Sequence, residues 1–267
     1  MIRGIVFDSQ TFDNGFADKA RRNGVRIAVI SKDGQGCGYD ACVNENALER
    51  KSELYLLASY KLGLSAEECV LFTSSEDGHR AAREARMFSF GIGGNEEEQI
   101  YSGCDAVLSD FEGFPSFNDV KSFSMAADSV KRDFCERTVI GKLLGVAKEA
   151  MKNAYAPFSK FHVGAAILTD KGNIYRGCNV ENASLGGTIC AERGAAMASI
   201  ASEGASRFRL IAIASKAEDP APPCAICRQF LAQFMPPDSQ VYLVSSKNGV
   251  LRHYNFGTLM PYAFTEF

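Results

Sequence analysis

Apolar segments alternate with stretches of helical periodicity in the first part of the chain. The short apolar runs that predict strands lie at 4–8, 25–31, 69–74, 88–93 and 106–110. Between them, residues 47–63 and 76–87 have the apolar spacing of helices. Buried strands separated by helices are typical of a parallel sheet that is covered on both faces. We therefore expect an α/β domain on a parallel sheet in residues 1–115.

A second pattern begins after a stretch rich in Gly, Pro, Ser and Phe, which predicts a linker at residues 116–131. Residues 137–154 carry apolar side chains at helical spacing. The later predicted elements are a hairpin that turns at 170–172, a helix near Cys190, a strand, a helix from Cys224 and a final strand. We expect a second α/β domain in residues 132–267.

Composition limits the classes of partner. The formal net charge is −3 and no Lys/Arg cluster is present, so we expect no nucleic-acid partner. No apolar run reaches the ~20 residues that cross a bilayer, and the first residues lack the features of a signal peptide. The cytoplasm is the expected compartment. Nine cysteines without a secretory signal predict reduced thiols or metal ligands rather than a disulfide framework.

Three of these cysteines have the spacing of a metal site. Cys224 and Cys227 flank two residues at the start of one predicted helix, and Cys190 lies at the start of another. Three thiolates and a water give Zn²⁺ a four-coordinate shell with an open position, as in catalytic sites. Bound Zn²⁺ lowers the pKa of its water to about 7, and Glu192 is placed to move the proton. A non-ligating Glu with a later P-C-x-x-C is typical of zinc nucleobase deaminases.

Other interpretations of these residues stay open. The Cys224–Cys227 pair taken alone also fits a redox pair or half of a structural zinc site. We interpret Cys178 as a small core or neighbouring residue rather than a fourth ligand. The remaining thiols are expected to be packed or free, and they are Cys37, Cys42, Cys69, Cys104 and Cys135.

Two arginines lie next to the cysteines. Three thiolates leave a zinc site with a net charge of about −1, which would hold the pKa of its water too high. Arg193, Arg228 and the two helix N-termini are predicted to draw charge off the sulfurs. The alternative is that either arginine only pairs or is solvated at a surface.

Four segments together resemble a known family. CNVENAS (178–184), CAER (190–193) and PCAICRQ (223–229) are similar to the three signature blocks of the small, homotetrameric cytidine deaminases. YAPFSKFHVGAAIL (155–168) resembles the opening segment of that family. The resemblance implies an α/β/α domain with a central mixed sheet and one Zn²⁺ per subunit. It also implies pyrimidine salvage, by hydrolytic deamination of cytidine and 2′-deoxycytidine to uridine and 2′-deoxyuridine.

The resemblance implies a role for each matching residue. The zinc ligands are Cys190, Cys224 and Cys227, and the proton shuttle is Glu192. The implied substrate contacts are Phe161 on the pyrimidine, Asn179 and Glu181 on the ribose 3′-hydroxyl, the Ala191 main chain on the base, and Phe264, which reaches a neighbouring subunit's site. Tyr262 stands where the family usually has Gly, so this last contact departs from the pattern. Phe161 also fits a simple core aromatic.

The first domain resembles a different family. Residues 4–14, 25–32 and 49–93 are similar to the phosphoglucomutase-like branch of the haloacid dehalogenase hydrolases, which have a Rossmann-like sheet, here without a cap insert. That family uses an Asp nucleophile, a second Asp two residues later, a Ser/Thr, a Lys and an acidic pair that holds Mg²⁺. The matching residues are Asp8 and Ser31, and the departures are Gln10, Glu49 and Thr73-Ser74, with Glu76 and Asp77 a turn too late. We expect a fold without its chemistry.

Two main hypotheses follow. One is a nucleoside deaminase with an inactive first domain, assembled as a homotetramer. The other is a bifunctional nucleotide phosphatase and cytidine deaminase, in which the first domain supplies nucleoside to the second. A third, within the deaminase class, is action on a nucleoside antibiotic or a modified base, and the ribose residues Asn179 and Glu181 speak against it.

Overall fold

Parallel strands form the sheet of the first unit of the chain, Met1–Cys135. The computed structural model describes residues 1–34, 38–94, 99–100 and 103–265, with the backbone alone for residues 135–137. The strands of this unit are β1 (Gly4–Phe7), β2 (Arg26–Ser31), β3 (Ala41–Asn44), β4 (Cys69–Thr73), β5 (Phe88–Ile92) and β6 (Ala106–Leu108). Their order is β3-β2-β1-β4-β5-β6 and every neighbouring pair is parallel. The predicted parallel sheet is confirmed.

Helices connect these strands. They are α1 (Asn14–Arg22), α2 (Lys51–Lys61), α3 (Glu76–Glu84) and α4 (Val120–Arg137), with a 3₁₀ turn at Ala66–Glu68. Asp13 begins α1, where its carboxylate accepts a 2.7 Å hydrogen bond from the Phe16 N–H. Ser75 begins α3 in the same way, by accepting from the Gly78 N–H. Such side chains satisfy the free N–H groups of a first helical turn, which fixes where each helix starts.

Helix α4 occupies most of the segment for which a linker was expected. Residues 116–131 are largely helical, and unit 1 extends to Cys135. The physical reason is aromatic packing: Phe123 of α4 lies 5.5 Å from Phe114 and 5.0 Å from Phe117 between ring centroids. Burial of these rings ties the helix to unit 1, so this Phe-rich stretch is part of a core.

The second unit, Glu136–Phe267, is built on a mixed sheet. Its strands are β7 (Val163–Thr169), β8 (Ile174–Cys178), β9 (Phe208–Ser215), β10 (Gln240–Ser245) and β11 (Leu251–Asn255). Its helices are α5 (Val139–Met151), α6 (Ala191–Glu203), α7 (Ala225–Leu231) and α8 (Phe256–Leu259), with a 3₁₀ turn at Leu185–Gly187. The strand order is β11-β10-β9-β7-β8, in which β9 and β10 are parallel and the other pairs are antiparallel.

Side-chain alternation along β7 shows how the layers are arranged. Ala165 and Ile167 share a buried cluster with Ala195 of α6. Gly164 points to the other face, where a Cβ would fall 2.1 Å from the carbonyl oxygen of Ala147 in α5. Since successive strand residues face opposite sides of a sheet, α5 covers one face and α6 the other. The expected α/β/α arrangement with a central mixed sheet is confirmed. Within the described residues, no helix has both the length and the apolar character to cross a membrane.

Candidate active site

Three cysteines of unit 2 meet at the starts of two helices. Cys190 is the residue at which α6 begins, Cys224 is the residue at which α7 begins, and Cys227 lies in the first turn of α7. The three sulfur atoms lie within 4.8 Å of one another, and the sulfurs of Cys190 and Cys224 are 3.9 Å apart. Sulfur ligands at this spacing suit a tetrahedral ion with Zn–S bonds of about 2.3 Å. The predicted meeting of these three residues is present.

The position of α6 depends on a glycine in β8. A Cβ on Gly177 would fall 2.3 Å from the backbone nitrogen of Ala195 and 2.5 Å from the carbonyl oxygen of Ala191. Both distances are far below van der Waals contact, so the helix backbone lies directly on the strand backbone. The alanines on this face of α6 are buried for the same reason. Small residues here set the location of the helix start that presents Cys190.

Arg193 provides positive charge to the sulfur cluster. Its Nη2 donates a 2.9 Å hydrogen bond to the Thr188 carbonyl oxygen and lies 3.9 Å from the Cys190 sulfur. Hydrogen bonding from the Cys227 thiol, and then from Arg193, lowers the pKa of Cys190 to about 5. The hydrogen bond between the Cys227 thiol and the Cys190 sulfur raises the pKa of Cys227. Both contacts therefore favour the thiolate form of Cys190.

Arg228 lies in a different setting. Its Nη1 donates a 2.6 Å hydrogen bond to the carbonyl oxygen of Leu259 in α8. The arginine thus connects the helix of Cys224 and Cys227 to the C-terminal segment. Of the two arginines predicted to balance charge, Arg193 is the one for which a contact with a ligand sulfur is described.

Glu192 lies beside the thiols inside the protein. It is in the first turn of α6 and its residue surface is 5% exposed. Burial raises the pKa of Glu192 to about 7, because a carboxylate loses its hydration there. A carboxyl group that titrates near neutral pH can both accept and donate a proton during one reaction cycle.

Asn179 holds the backbone of the loop that carries Phe161. Its Oδ1 accepts a 2.8 Å hydrogen bond from the Val163 N–H, and its Nδ2 donates at 2.9 Å to the Phe161 carbonyl oxygen. Asn179 is itself buried, whereas Phe161 is 39% exposed. The structure therefore places Phe161 at the surface of the unit, and the interpretation as a simple core aromatic is wrong.

Glu181 holds the same loop two residues further on. Its Oε2 accepts from the backbone N–H groups of Phe158 and Ser159 at 2.8 and 3.2 Å, and its Oε1 accepts from the Ser159 hydroxyl. The Ser159 hydroxyl is the main reason why the pKa of Glu181 is lowered. Sequence reasoning missed Ser159 as a site residue, although it lies within the segment that resembles the family opening block.

A backbone bridge joins this loop to the thiols. Val180 and Ile189 exchange two hydrogen bonds, of 2.9 and 3.0 Å, and Ile189 directly precedes Cys190. Tyr155 pairs with Val180 on the other side. Asn179 and Glu181, on either side of Val180, therefore lie on the segment bonded to the chain that leads into Cys190.

The last two predicted substrate contacts differ in exposure. Ala191, the first residue of α6, is fully buried, and Phe264 is 60% exposed in the C-terminal segment. Tyr262 beside it is 94% exposed. The side chain of Gln229 in α7 hydrogen-bonds the backbone of Phe264, a contact that sequence reasoning missed. The only signal was its place in the PCAICRQ block.

One of the other cysteines differs from the expectation. Cys42 in β3 is disulfide-bonded, so its expected status as a packed or free thiol is wrong. Cys69 and Cys104 are free and buried, as expected. Cys178 is free, and its thiol donates to the Asn153 carbonyl oxygen at 3.5 Å. Among the described residues the cysteines that cluster for a metal are those of the two helix starts. Cys37 and the side chain of Cys135 lie outside the described residues.

In unit 1, Asp8 and Thr73 lie where the strand order of the parallel sheet reverses. Asp8 follows β1, Thr73 ends the adjacent β4, and the Thr73 hydroxyl donates a 3.1 Å hydrogen bond to Asp8 Oδ2. The Ser9 hydroxyl lies 3.4 Å from the other carboxylate oxygen. Ligands of open α/β sheets bind at such an edge, but here hydroxyl groups of the chain engage the carboxylate.

The other residues to which the resemblance points lie exposed or have described partners of their own. The Ser31 hydroxyl donates to Asp33 at 3.1 Å, while Gln10 and Glu49 are exposed. Glu76 and Asp77 lie on α3, where Arg80 pairs with them at 2.9 and 3.7 Å.

Unit 2 matches a recognised protein class. The sequence profile of the cytidine and deoxycytidylate deaminase zinc-binding region matches residues 138–243, which include the three cysteines and Glu192. The mixed sheet and the thiol cluster therefore define a zinc-binding deaminase.

Unit 2 is also similar in sequence to cytidine deaminases of two bacteria. A cytidine deaminase of Sporosarcina psychrophila is 40% identical over 127 residues, which are 48% of this chain and 92% of that protein. A cytidine deaminase of Halalkalibacterium halodurans is 42% identical over 123 residues, which are 46% of this chain and 92% of that protein. The chain belongs to the cytidine deaminase family, through its second unit.

Solved structures give weaker likenesses. A cytidine deaminase from Burkholderia pseudomallei is 40% identical with a TM-score of 0.44, over 46% of this chain and 98% of that chain. A β-phosphoglucomutase from Clostridium difficile is 17% identical with a TM-score of 0.36, over 46% of this chain and 56% of that chain. The second likeness is too weak to assign a family to any part of this chain.

Proposed function

We propose that the protein catalyses the zinc-dependent hydrolytic deamination of cytidine and 2′-deoxycytidine to uridine and 2′-deoxyuridine, with release of ammonia, as a step of pyrimidine salvage. The observation that supports this most directly is the placement of a buried carboxyl group, Glu192, two residues after one of three thiols that lie within 4.8 Å of one another. The names of the relatives support the choice of a cytosine nucleoside.

The donor set fits zinc. Thiolates of Cys190, Cys224 and Cys227 supply three soft ligands at two helix N-termini, and Zn²⁺ with three protein ligands keeps a position for water. Zn²⁺ bound there would lower the pKa of its water to about 7 and so supply the nucleophile at neutral pH. Arg193, 3.9 Å from the Cys190 sulfur, offsets part of the negative charge of the thiolates.

Glu192 is the proposed proton shuttle. As a carboxylate it would take one proton from the attacking water and pass it to N3 of the pyrimidine ring as the C4–O bond forms. It would then take the second proton from the new C4 hydroxyl and pass it to the amine, which leaves as ammonia when the C4–N bond breaks. Its pKa near 7 makes both forms accessible at the pH of the cell. Burial keeps bulk water away from the carboxyl group during transfer.

The substrate contacts are proposed around the same helix start. Phe161 packs on the pyrimidine, and the Ala191 main chain at the start of α6 contacts the base. Asn179 and Glu181 hydrogen-bond the ribose 3′-hydroxyl. The bridge between Val180 and Ile189 supports this assignment, because it places their segment beside the chain that enters Cys190.

A homotetramer with Phe264 at a neighbouring copy's site is the proposed assembly. Unit 2 exposes large apolar side chains that one small domain has little reason to leave in water. They include Tyr155, Phe158, Leu185, Ile226, Tyr262 and Phe264. A symmetric homo-oligomer would cover them.

For unit 1 we propose that residues 1–115 have a haloacid dehalogenase-like fold without a cap insert and without phosphatase activity. We propose that residues 132–267 form the deaminase domain. The hydrogen bond from Thr73 to Asp8 supports the loss of activity, since a hydroxyl stands where a carboxylate would help to hold Mg²⁺. The proposed compartment is the cytoplasm. Free thiols such as Cys69 and Cys104 support it, whereas the disulfide at Cys42 does not.

The direct test is zinc analysis of the purified chain together with turnover of cytidine, 2′-deoxycytidine, a modified cytosine nucleoside and CMP. We expect about one zinc per chain and ammonia release from the first two substrates. Turnover of the modified nucleoside alone would favour the third hypothesis, and phosphate release from CMP with Mg²⁺ would favour the bifunctional one. Absence of zinc and of any deamination would refute the proposed function.

A further inference from the structure

A glutamine in helix α7, which carries Cys227, hydrogen-bonds the backbone of Phe264. Gln229 Nε2 donates a 2.6 Å hydrogen bond to the Phe264 carbonyl oxygen, and the Phe264 N–H lies 3.4 Å from Gln229 Oε1. A primary amide has one donor and one acceptor side, so it can engage both backbone groups of a single residue. The pairing fixes the backbone of Phe264 in orientation as well as in place.

The rings of this segment are largely exposed within unit 2. Phe264 is 60% exposed and Tyr262 is 94% exposed, so their burial within unit 2 contributes little to holding the chain. The preceding residue of α7 adds a second attachment, because Arg228 donates at 2.6 Å to the Leu259 carbonyl oxygen. Two successive side chains after Cys227 therefore hold main-chain oxygens of the C-terminal segment.

We propose that Gln229 is the positioning residue for Phe264, which it holds at the angle that the neighbouring copy's nucleoside pocket requires. This inference rests on the proposed function. Gln229 lies two residues after Cys227 on the same helix, so the aromatic offered to one pocket is fixed to the metal-bearing helix of another. The residue acts through Phe264 and does not itself touch the substrate.

The kinetic test uses Gln229→Ala and Gln229→Glu. The glutamate keeps the size and one acceptor oxygen but loses the donor to the Phe264 carbonyl, so it separates the hydrogen bond from packing. We expect both variants to raise KM about five- to tenfold, the effect of losing about one net hydrogen bond, with kcat and zinc content nearly unchanged. Gln233→Ala is the matched control, since Gln233 is an exposed glutamine just after the end of α7. It should leave both kinetic constants unchanged.

A spectroscopic test needs no activity. The chain contains no tryptophan, so Phe264→Trp introduces a single indole reporter at the position in question. In the Phe264→Trp background, Gln229→Ala should red-shift the emission and lower its anisotropy, because the freed segment moves faster and meets more water. Gln233→Ala in the same background should change neither quantity.

Several outcomes would overturn the proposal. Unchanged emission and anisotropy in the Phe264→Trp, Gln229→Ala protein would show that Gln229 does not hold the segment. A fall in kcat together with lost zinc would show that Gln229 only supports the helix of Cys227. If the parent protein fails to deaminate cytidine, the proposed function falls. The emission of the Phe264→Trp protein, with and without Gln229→Ala, then still decides whether Gln229 positions residue 264.

Discussion

The backbone of Gly177 in β8 lies so close to Ala191 in α6 that a Cβ on Gly177 would stand 2.5 Å from the Ala191 carbonyl oxygen. This contact sets the distance between strand β8 and the start of α6, where Cys190 and Glu192 lie. The position of the candidate metal centre thus depends on the absence of a side chain in the neighbouring strand.

We expect Gly177→Ala to destabilise unit 2 by about 1–3 kcal/mol, the usual range for an added methyl group in a packed interior, and to lower zinc content. Urea unfolding followed by circular dichroism, with metal analysis, measures both. Gly145→Ala is the control: a Cβ there meets nothing within 4 Å, and alanine within α5 should stabilise the helix by about 0.5–1 kcal/mol. If both variants had the same free energy of unfolding and the same zinc content, the proposed role of the close contact would be wrong.

Glu192→Gln should reduce turnover of cytidine by about 10²- to 10⁴-fold, the usual contribution of a general acid/base group. Zinc content and the unfolding temperature should stay close to those of the parent, because the amide has the same shape and Glu192 is not one of the clustered metal ligands. Steady-state kinetics with metal analysis tests this. Near-normal turnover in the variant would remove Glu192 from the mechanism.

The buried His79 should make the stability of unit 1 sensitive to acid. Burial lowers its pKa to about 4, and its Nδ1 lies 3.1 Å from the Ser89 hydroxyl. As the pH falls below about 6.5, the unfolded chain binds a proton at this histidine while the folded protein does not. The free energy of unfolding should therefore drop by about 2 kcal/mol between pH 7 and pH 5 from this group.

Urea unfolding of the full chain at the two pH values measures that loss. The matched variant is His79→Gln, which has no proton to bind in this range. We expect it to be less stable at pH 7 and to lose less stability on acidification. An equal loss in parent and variant would assign the pH dependence to other groups.

Asp8→Asn should leave cytidine turnover unchanged. Neither the parent nor the variant should release phosphate from CMP or a sugar phosphate in the presence of Mg²⁺. The reason is that the Thr73 hydroxyl meets Asp8 at the end of β4, where the family has a carboxylate. A phosphate-release assay decides the matter. If the parent releases phosphate and Asp8→Asn abolishes it, the bifunctional alternative replaces our proposal for unit 1.

The protein should sediment as a homotetramer at working concentration, because the exposed apolar residues of unit 2 need cover and Phe264 needs a neighbouring site. Phe264→Ala should raise KM in the assembled protein. Analytical ultracentrifugation gives the mass. A monomer with full activity would refute both the assembly and the shared site.

The sequence predicted those features that depend on local pattern. Continuous apolar runs located β1 and β4, whose residues are buried throughout, and the turn at Gly172 has the positive φ of 82° that favours glycine. The three cysteines could be grouped because their spacing matches two helix starts. In each case the physical cause lies within a few residues of the feature.

The missed features depend on contacts between distant residues. Helix α4 follows a Phe-rich, Gly- and Pro-containing stretch, and only tertiary packing of Phe123 on Phe114 shows that this stretch is core. The buried ion pair of Arg83 and Asp105, at 3.3 Å, joins residues that no motif relates. Gln229 meets Phe264 35 positions later in the chain. Such pairings are set by the packing of whole elements, which local periodicity does not encode.

The 3.9 Å separation of the Cys190 and Cys224 sulfurs also has a consequence for oxidation. A disulfide needs about 2.05 Å between sulfurs, so a modest movement would bring these two into bonding range. Hydrogen bonds from the Cys227 thiol and Arg193 lower the pKa of Cys190 and so favour the thiolate, which is the form that oxidants attack. Once zinc has been removed by a chelator, we expect peroxide to oxidise Cys190 and Cys224 to a disulfide, with reduction of the peroxide to water. Bound metal should therefore protect the thiols, and we expect the metal-free protein to need a reductant.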